Sequence, residues 1–538
     1  MSVHILFDHR YPMRTHEKDG AQIFFVGTLH GNDNPLETIE RLFLSGGALA
    51  ASESASHYLR SLSGSFCLVI QDRKRQILAA TDKIRSYPLF YSLKDNTVIV
   101  GNDCQHIKSM IQSEKNALSF LEFQMTGYVT GQQTLFQDIS QLQAGEVLLY
   151  DGRNIQVKQY YLFHTTGVFN LSEEALIERL HDVTTSIFNR LIQRLNGRPV
   201  LIPLSAGNDS RLVVCMLKHL GYHNVRTFTF GIPGNHEARW AREISRRIGV
   251  PWLFVPYTRR SGKQCFRSPL YATYSQFIPS IVTIPFILDF PALCSLFKSQ
   301  RIPTNAVLIN GLSGDFISGS HEHPDIFGTS FIKKEDLLNY IINRHYSLWL
   351  HLLTPENTKQ IRKKIEEVIP LPLPDLIDQT YAVKWYELWE WACRQTKYVL
   401  NSQRAYDFFG LSWELPLWDD AYLEFWSRIP AAYKLEQRLY RDYLRTYNFF
   451  GVFRDVQFDR YLSPPFIRHL HRLFAVFGAP GIRYAKIFLS YWQGDSYYYA
   501  LYPYREYLRY ASLHRNAISY HVKYVLEHEY NETIATVS

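Results

Sequence analysis

Cysteine is scarce in this chain. Six residues of it are spread over 538, at positions 67, 104, 215, 265, 294 and 393, with no C-x-x-C pair and no zinc-ligand spacing. That excludes a zinc-stapled or disulfide-stapled fold and leaves reduced thiols in a cytoplasmic protein as the expectation. Long apolar runs are missing too. None approaches the roughly 20 residues a membrane span needs, and Met1-Ser-Val-His-Ile-Leu-Phe-Asp is no signal peptide, so no integral membrane segment is expected. Blocks of like charge are absent. The formal net charge of +8 is diffuse and suits anionic small molecules, while nothing argues for nucleic acid. What the chain does have is core material: 46% hydrophobic and 15% aromatic residues, enough for two to four domains.

The rhythm of the chain changes twice. Up to about residue 165 short apolar runs (3–6, 22–26, 66–70, 77–80, 89–92, 98–100 and 147–150) alternate with turn residues, which predicts a β-rich α+β unit. Ser172 followed by Glu173 and Glu174 predicts a capped helix start. Strands then alternate with helices from 199 to about 315, the pattern of a parallel α/β sheet, and the remainder is helical and rich in Tyr and Trp. Basic-aromatic stretches in the tail, such as Arg468–Phe474, predict an amphipathic helical cover or a peripheral surface.

The segment Pro199-Val-Leu-Ile-Pro-Leu-Ser205-Ala-Gly207-Asn208-Asp209-Ser210-Arg211 carries the most chemistry. It predicts a strand, a tight polar loop and a helix whose N-terminus offers free N–H groups to an anion. Gly207 permits close approach of a phosphate, and Ser205 and Ser210 supply hydroxyls. Asp209 would repel a polyphosphate unless a divalent cation stood between them, so the loop predicts a Mg-nucleotide site. It lacks the G-x-x-x-x-G-K-[ST] of a Walker A loop.

This loop resembles the S-G-G-x-D-S pyrophosphate loop of ATP pyrophosphatases, with Ala206 in place of the first Gly. The next strand, ending at Gly231, and the helix from Asn235 follow as in the synthetase domain of asparagine synthetases. A second segment, Asn310-Gly311-Leu312-Ser-Gly314-Asp315-Phe316-Ile-Ser-Gly-Ser-His321, resembles that family's S-G-E-G-x-D-E-x-x-G-G motif. Upstream, Leu62-Ser-Gly64-Ser-Phe66 through Asp82 to Pro88-Leu-Phe-Tyr91 resembles class II glutamine amidotransferase domains. The resemblance implies an Ntn-type αββα amidotransferase-like domain over 1–165, a PP-loop α/β synthetase domain over 166–455, and a helical extension over 456–538 packed on the synthetase domain. It implies ATP and Mg as cofactors. Ser205, Gly207, Asn208, Asp209, Ser210, Gly231, Gly311 and Gly314 would bind the nucleotide, and Asp209 and Asp315 the metal. Arg441, in Arg438-Leu-Tyr-Arg441-Asp-Tyr-Leu-Arg445, falls where the family has a lysine that steadies developing phosphate charge.

Departures from the pattern set the substrate side apart. The family's amidotransferase nucleophile is an N-terminal cysteine, yet Ser2 stands there and no cysteine precedes Cys67. Leu312 replaces the catalytic Glu of the second motif and Phe316 its final acid, while Glu414 sits where the family has Arg. The segment is most similar to relatives associated with bacterial surface polysaccharides. His321 and His323 are candidates to bind an acidic substrate or act as base, or are plain loop histidines. Arg394, Lys397, Asn401 and Arg404 share one helix face, which either reaches a phosphate or carboxylate or is a solvated stripe. The expectation is an ATP-dependent ligase that adenylates a carboxylate, such as a sugar uronic acid or nucleotide sugar, and joins it to ammonia from a separate source or to an amine. Asparagine synthesis, peptide macrolactam formation of the lasso or β-lactam type, and non-catalytic ATP binding stay open, as does the oligomeric state.

Overall fold

The computed structural model describes residues 2–18, 20–30, 38–39, 55–164, 167–454, 487–488, 491 and 501–534. Ten strands precede residue 160: β1 Ser2–Leu6, β2 Met13–Lys18, β3 Ala21–His30, β4 Ser63–Gln71, β5 Ile77–Thr81, β6 Phe90–Lys94, β7 Thr97–Gly101, β8 Ser140–Gln141, β9 Glu146–Tyr150 and β10 Ile155–Gln159. They form a four-stranded sheet, β1-β7-β6-β8, and a six-stranded sheet, β10-β9-β5-β4-β3-β2. Only β1 and β7 pair in parallel. In the larger sheet alternate side chains serve two cores. Cys67, Val69, Ile77 and Ala79 point into the main core, which also takes in Phe90, Val98 and Val100 of the smaller sheet. Phe66, Leu68, Ile70, Leu78 and Ala80 pack on the opposite face with Ala55 and Leu59 of a short helix. A sheet covered on both faces has no polar side, so its central strands read as continuous apolar runs. The strands of this sheet that sequence patterning misses, β2 and β10, are its edges; an edge strand needs fewer apolar residues.

Ser172 caps the following helix, Glu173–Leu195, by accepting from the Ala175 N–H at 3.3 Å. Its buried stripe (Leu176, Leu180, Ile187, Phe188, Leu191, Leu195) lies against the second unit. That unit is built on five parallel strands: β11 Val200–Pro203, β12 Val225–Gly231, β13 Trp252–Pro256, β14 Val307–Ile309 and, after the antiparallel pair β15 Phe331–Lys333 and β16 Leu376–Asp378, β17 Ser412–Glu414. Their spatial order is β13-β12-β11-β14-β17. The chain winds outward from β11 to one side and from β14 to the other, so the strand order reverses between β11 and β14. Ligands of open parallel sheets bind at the carboxyl ends of the strands at such a point. The chain therefore has a β-rich unit followed by a parallel α/β unit with helices.

The helix Gln379–Glu390 continues into a wide π-wound stretch, Trp391–Val399. Here both readings of the basic stripe are corrected for three of its four members. Lys397 donates to the carbonyls of Val129 at 3.1 Å and Gly131 at 2.7 Å, Asn401 to Ile284 at 3.2 Å, and Arg404 to Ser86 at 2.6 Å. All three are buried. They tie the helical segment to loops of the first unit and to the 278–289 segment, and are neither solvated nor at a ligand site. Burial pushes the Lys397 ammonium down to about 7, with Cys393, Arg85, Glu122 and Lys364 as its titratable neighbours. Between that value and the ordinary lysine range the unfolded chain binds a proton that the folded chain lacks, so this residue's contribution to stability rises with pH across that window. Lys397→Met will therefore shift the melting temperature upward more, or downward less, at pH 6.5 than at pH 9. A pH-independent difference from the parent protein in paired thermal melts would contradict this.

The tail also differs from expectation. The stretches 455–486 and 492–500, with Arg468–Phe474, lie outside the described residues. The helix Ile518–Glu529 packs on the first unit's helix Ala117–Thr126 as well as on the second unit, where His521 meets the Tyr271 hydroxyl at 3.1 Å. Just beyond it the Tyr530 ring stacks edge-on to Phe120. The extension thus clamps both units, because its Tyr and Val side chains find apolar surface on each. Among the described residues no helix is long and apolar enough to cross a membrane.

Candidate active site

Strand β11 ends at Pro203, and Leu204–Gly207 turn into the helix Asn208–His219 with Gly207 at its N-cap. No side chain caps this helix, so its first N–H groups face the loop, as anion binding requires. The two serines shape the turn. Ser205 Oγ accepts from the Gly207 N–H at 3.0 Å, Ser210 Oγ accepts from the Ser205 N–H at 3.1 Å, and the hydroxyls lie 3.1 Å apart. Behind the loop, buried Arg211 donates to the Ala206 carbonyl and, at 2.8 Å, to that of Val452. The Ala206 methyl is fully buried, which is why alanine serves where the motif has glycine.

The second segment forms the facing wall. A Cβ on Gly311 would stand 2.6 Å from both the Asp209 carbonyl carbon and the Ser210 nitrogen; one on Gly314 would stand 2.7 Å from Asp209 Oδ1. The two predicted motifs are therefore in van der Waals contact. Asp209 Oδ1 accepts from the Tyr440 hydroxyl at 2.9 Å, and its carboxylate accepts from the Asp315 N–H. Burial first, and the neighbouring Asp315 carboxylate second, push Asp209 up to about 8. Asp315 itself is 54% exposed. Because backbone atoms, which cannot swing aside, oppose Gly311, Gly311→Ala will weaken nucleotide binding at least ~10-fold by prising the walls apart. Equilibrium dialysis with labelled ATP reads this directly, and parental affinity in the variant would show that the contact is unimportant.

A cavity of about 260 Å³ opens at the carboxyl ends of β11, β12 and β14, lined by Ser205, Gly207, Asp209, Ser210, Phe230 and Gly311 among others. Leu312 lies in its wall, apolar where an acid was to be compared. Among the described residues three carboxylates line the cavity (Asp209, Glu237, Asp289) and no lysine or arginine does. Asp289 accepts from Tyr406 at 2.5 Å, and Asn310 bonds the same hydroxyl at 3.4 Å. Gly231, the last residue of β12, adjoins Phe230 with φ +139°, and a Cβ there would meet Asn235 Nδ2 at 2.4 Å. It serves the tight turn into the helix His236–Ile248.

Beyond Asp315 lies a group that motif reasoning left incomplete. His321 Nδ1 is 2.7 Å from Glu390 Oε1, and its Nε2 is 3.9 Å from Asp315 Oδ2. Glu390 is fully buried, and its Oε1 also accepts from Arg394 and from Gln395 Nε2, both at 3.0 Å. Gln395 Oε1 takes the Ser313 hydroxyl at 2.7 Å, with Ser313 in the left-handed region at φ 58°. Burial alone would raise the Glu390 carboxyl, yet His321, His345 and Arg394 hold it well below the usual range. An ionised carboxylate only accepts, so Nδ1 carries a proton toward Glu390, and Nε2 is directed to the Asp315 side. The signal for Glu390 was an acid set among tryptophans in Trp389-Glu390-Trp391. Its meaning needs the fold, because His321 lies 69 residues away.

The other expectations fare differently. His323 is exposed, 3.3 Å from Asp325 Oδ2, and caps a short helix. Arg441 stands on the helix Arg438–Tyr447 but is exposed. The residue of that helix reaching the loop is its neighbour Tyr440, since successive helical side chains are turned by 100°. Phe316 is buried 5.9 Å from the His321 ring. Glu414 holds Arg194 at 2.9 Å and Asp419 holds Arg190 at 2.8 Å. In the first unit Ser2 is exposed at the start of β1, its hydroxyl 2.9 Å from that of Thr97, and burial pushes the Cys67 and Cys104 thiols up.

Comparison with protein families agrees with this architecture. Residues 191–447 match the family model described as asparagine synthase, and residues 48–161 match that of the glutamine amidotransferase domain. No curated protein matches the chain.

Proposed function

We propose, from the asparagine synthase domain that this chain carries behind an amidotransferase domain, that it adenylates a carboxylate with ATP and then joins the acyl group to ammonia or an amine. At the level of the domain it is an ATP-dependent amide-forming ligase. The observation carrying the reading is the junction of Asp209, Gly311 and Gly314 at the reversal of strand order. The substrate's carboxylate oxygen would attack the α-phosphorus and pyrophosphate would leave. The amine nitrogen would then attack the acyl carbon, AMP would leave, and the amine proton would pass to His321 Nε2. The loop N–H groups and the Ser205 and Ser210 hydroxyls bind and orient the phosphates. Leu204, Phe230 and Leu312 exclude water from the cavity.

A divalent cation fits this donor set. The carboxylates of Asp209 and Asp315 would hold Mg, which neutralises phosphate charge that no basic side chain of the cavity meets. In place of Arg441, Tyr440 positions Asp209. The acyl substrate in this proposal is a sugar carboxylate. Leu312 and Phe316, apolar where the family motif has acids, support an acyl group other than aspartate. The amine in this proposal is free ammonia or an amine substrate, used in the cytoplasm. We keep 1–165, 166–455 and 456–538 as the working division. Pyrophosphate release screened over aspartate, uronic-acid nucleotide sugars and peptides tests the reading. Release with a uronic acid and an amine is the expected result; ATP binding without release on any carboxylate would overturn it.

A further inference from the structure

Behind the His321–Glu390 pair three guanidinium groups converge from three parts of the chain. Arg344 lies in the last turn of the helix Lys334–His345, Arg394 on the π-wound stretch, and Arg515 just before the helix Ile518–Glu529. Each is tied to the pair or to its support. Arg394 donates to Glu390 Oε1 at 3.0 Å. Arg344 donates to the Tyr340 hydroxyl at 3.1 Å, and that hydroxyl donates to the His321 carbonyl at 2.6 Å. Arg515 donates to the carbonyls of Arg344 and, at 3.1 Å, of Asn343, and to Ser347 Oγ at 2.9 Å.

Charge does not balance here. Among the described residues, the hydrogen bonds of these three arginines reach one carboxylate, that of Glu390, which His321 shares. Against burial, Glu390 and neighbouring tyrosines hold Arg344 and Arg394 above their usual range, whereas the exposed Arg515 is held below it by burial and then by Arg344 and Arg394. A guanidinium has five N–H donors, and among the described residues each of these arginines hydrogen-bonds through a single nitrogen. Like charges gathered at a partly desolvated place cost free energy unless an anion joins them. Forked N–H donors match planar or tetrahedral oxyanions.

We propose that Arg344, Arg394 and Arg515 form an oxyanion site for a carboxylate or phosphate carried by the acyl or amine substrate, separate from the nucleotide's own phosphates. The identity of the ligand as a substrate rests on the ligase reading; the anion site itself does not. The geometry orders the groups as nucleotide loop, Asp209 with Asp315, His321, Glu390, and then the arginines.

Calorimetric titration of the full chain with inorganic phosphate and with glucuronate tests this, since neither probe requires turnover. We expect Arg344→Gln/Arg515→Gln to weaken anion binding at least tenfold while Mg-ATP affinity stays within twofold, and the tighter probe to identify phosphate or carboxylate as the natural group. Arg344→Lys, which keeps the charge without the fork, should fall between; this single variant carries the test should the double variant fail to fold. Unchanged anion affinity would overturn the site, as would an equal loss from Arg226→Gln on the exposed surface. Arginine-dependent anion binding without pyrophosphate release on any carboxylate would overturn the ligase reading and leave the anion site standing.

Discussion

Asp209→Asn will abolish ATP–pyrophosphate exchange with the carboxylate that the screen identifies, lowering its rate about 10³-fold or more, the scale of removing a main electrostatic contact from a phosphoryl- or acyl-transfer site. The amide is the right replacement because it keeps the shape of the carboxyl group. Its oxygen can still accept from the Tyr440 hydroxyl and from the Asp315 N–H, the two donors that hold Asp209 now. Gly314, whose missing Cβ leaves room for Asp209 Oδ1, is undisturbed. What is lost is the negative charge. The protein keeps this carboxylate beside a second one, at a cost visible in its upward displacement to about 8. Buried like charges persist where function requires them. The readouts separate the roles. If Asp209 holds a metal for the triphosphate, exchange fails while the melting temperature without nucleotide stays equal or rises, since a repulsive pair has been removed. Unimpaired exchange in Asp209→Asn would sink the adenylation centre proposed for this junction.

Much of that junction could be read before any coordinates. The phosphate loop is local: strand, glycine, serines and helix occupy consecutive positions in 199–219, and the structure has them in that order. The contact between the two motifs follows from parallel topology, because β11 and β14 are neighbours whose carboxyl ends are side by side. What stayed hidden depends on rotation and on burial. Arg441 and Tyr440 are adjacent, and only the docking of their helix decides which one faces Asp209. Spacing of three and four placed Arg394, Lys397, Asn401 and Arg404 on one face, but a π-wound turn and the covering first unit separated Arg394 from the rest. Edge strands β2 and β10 escaped because most of their described residues meet water. Glu390 escaped because a buried acid is intelligible only with its partners: Arg394 and Gln395 follow it on the same helical run, but His321 lies 69 residues away.

The second large effect divides the reaction at its midpoint. His321→Ala should leave ATP–pyrophosphate exchange within a few-fold of the parent and reduce amide formation by roughly 10²–10⁴, the usual contribution of a positioned general base. Leu312 cannot abstract a proton; the base in this proposal is His321 Nε2, which faces Asp315 while Nδ1 is engaged with Glu390. Glu390→Gln asks whether that engagement matters. A glutamine there can present its N–H₂ or its oxygen to Nδ1, but not a charge. It leaves Arg394 without an ion pair, and breaking a buried pair costs about 3–5 kcal/mol of stability, so the variant should melt early. The informative measurement is therefore amide formation against ATP–pyrophosphate exchange, both taken below the melting temperature. Loss of amide formation with exchange kept is the result expected if Glu390 positions His321; an equal loss of both would mark a purely structural role. Loss of exchange in His321→Ala, in step with amide formation, would instead assign the histidine to nucleotide or acyl binding. Parental amide formation would remove it from the mechanism altogether.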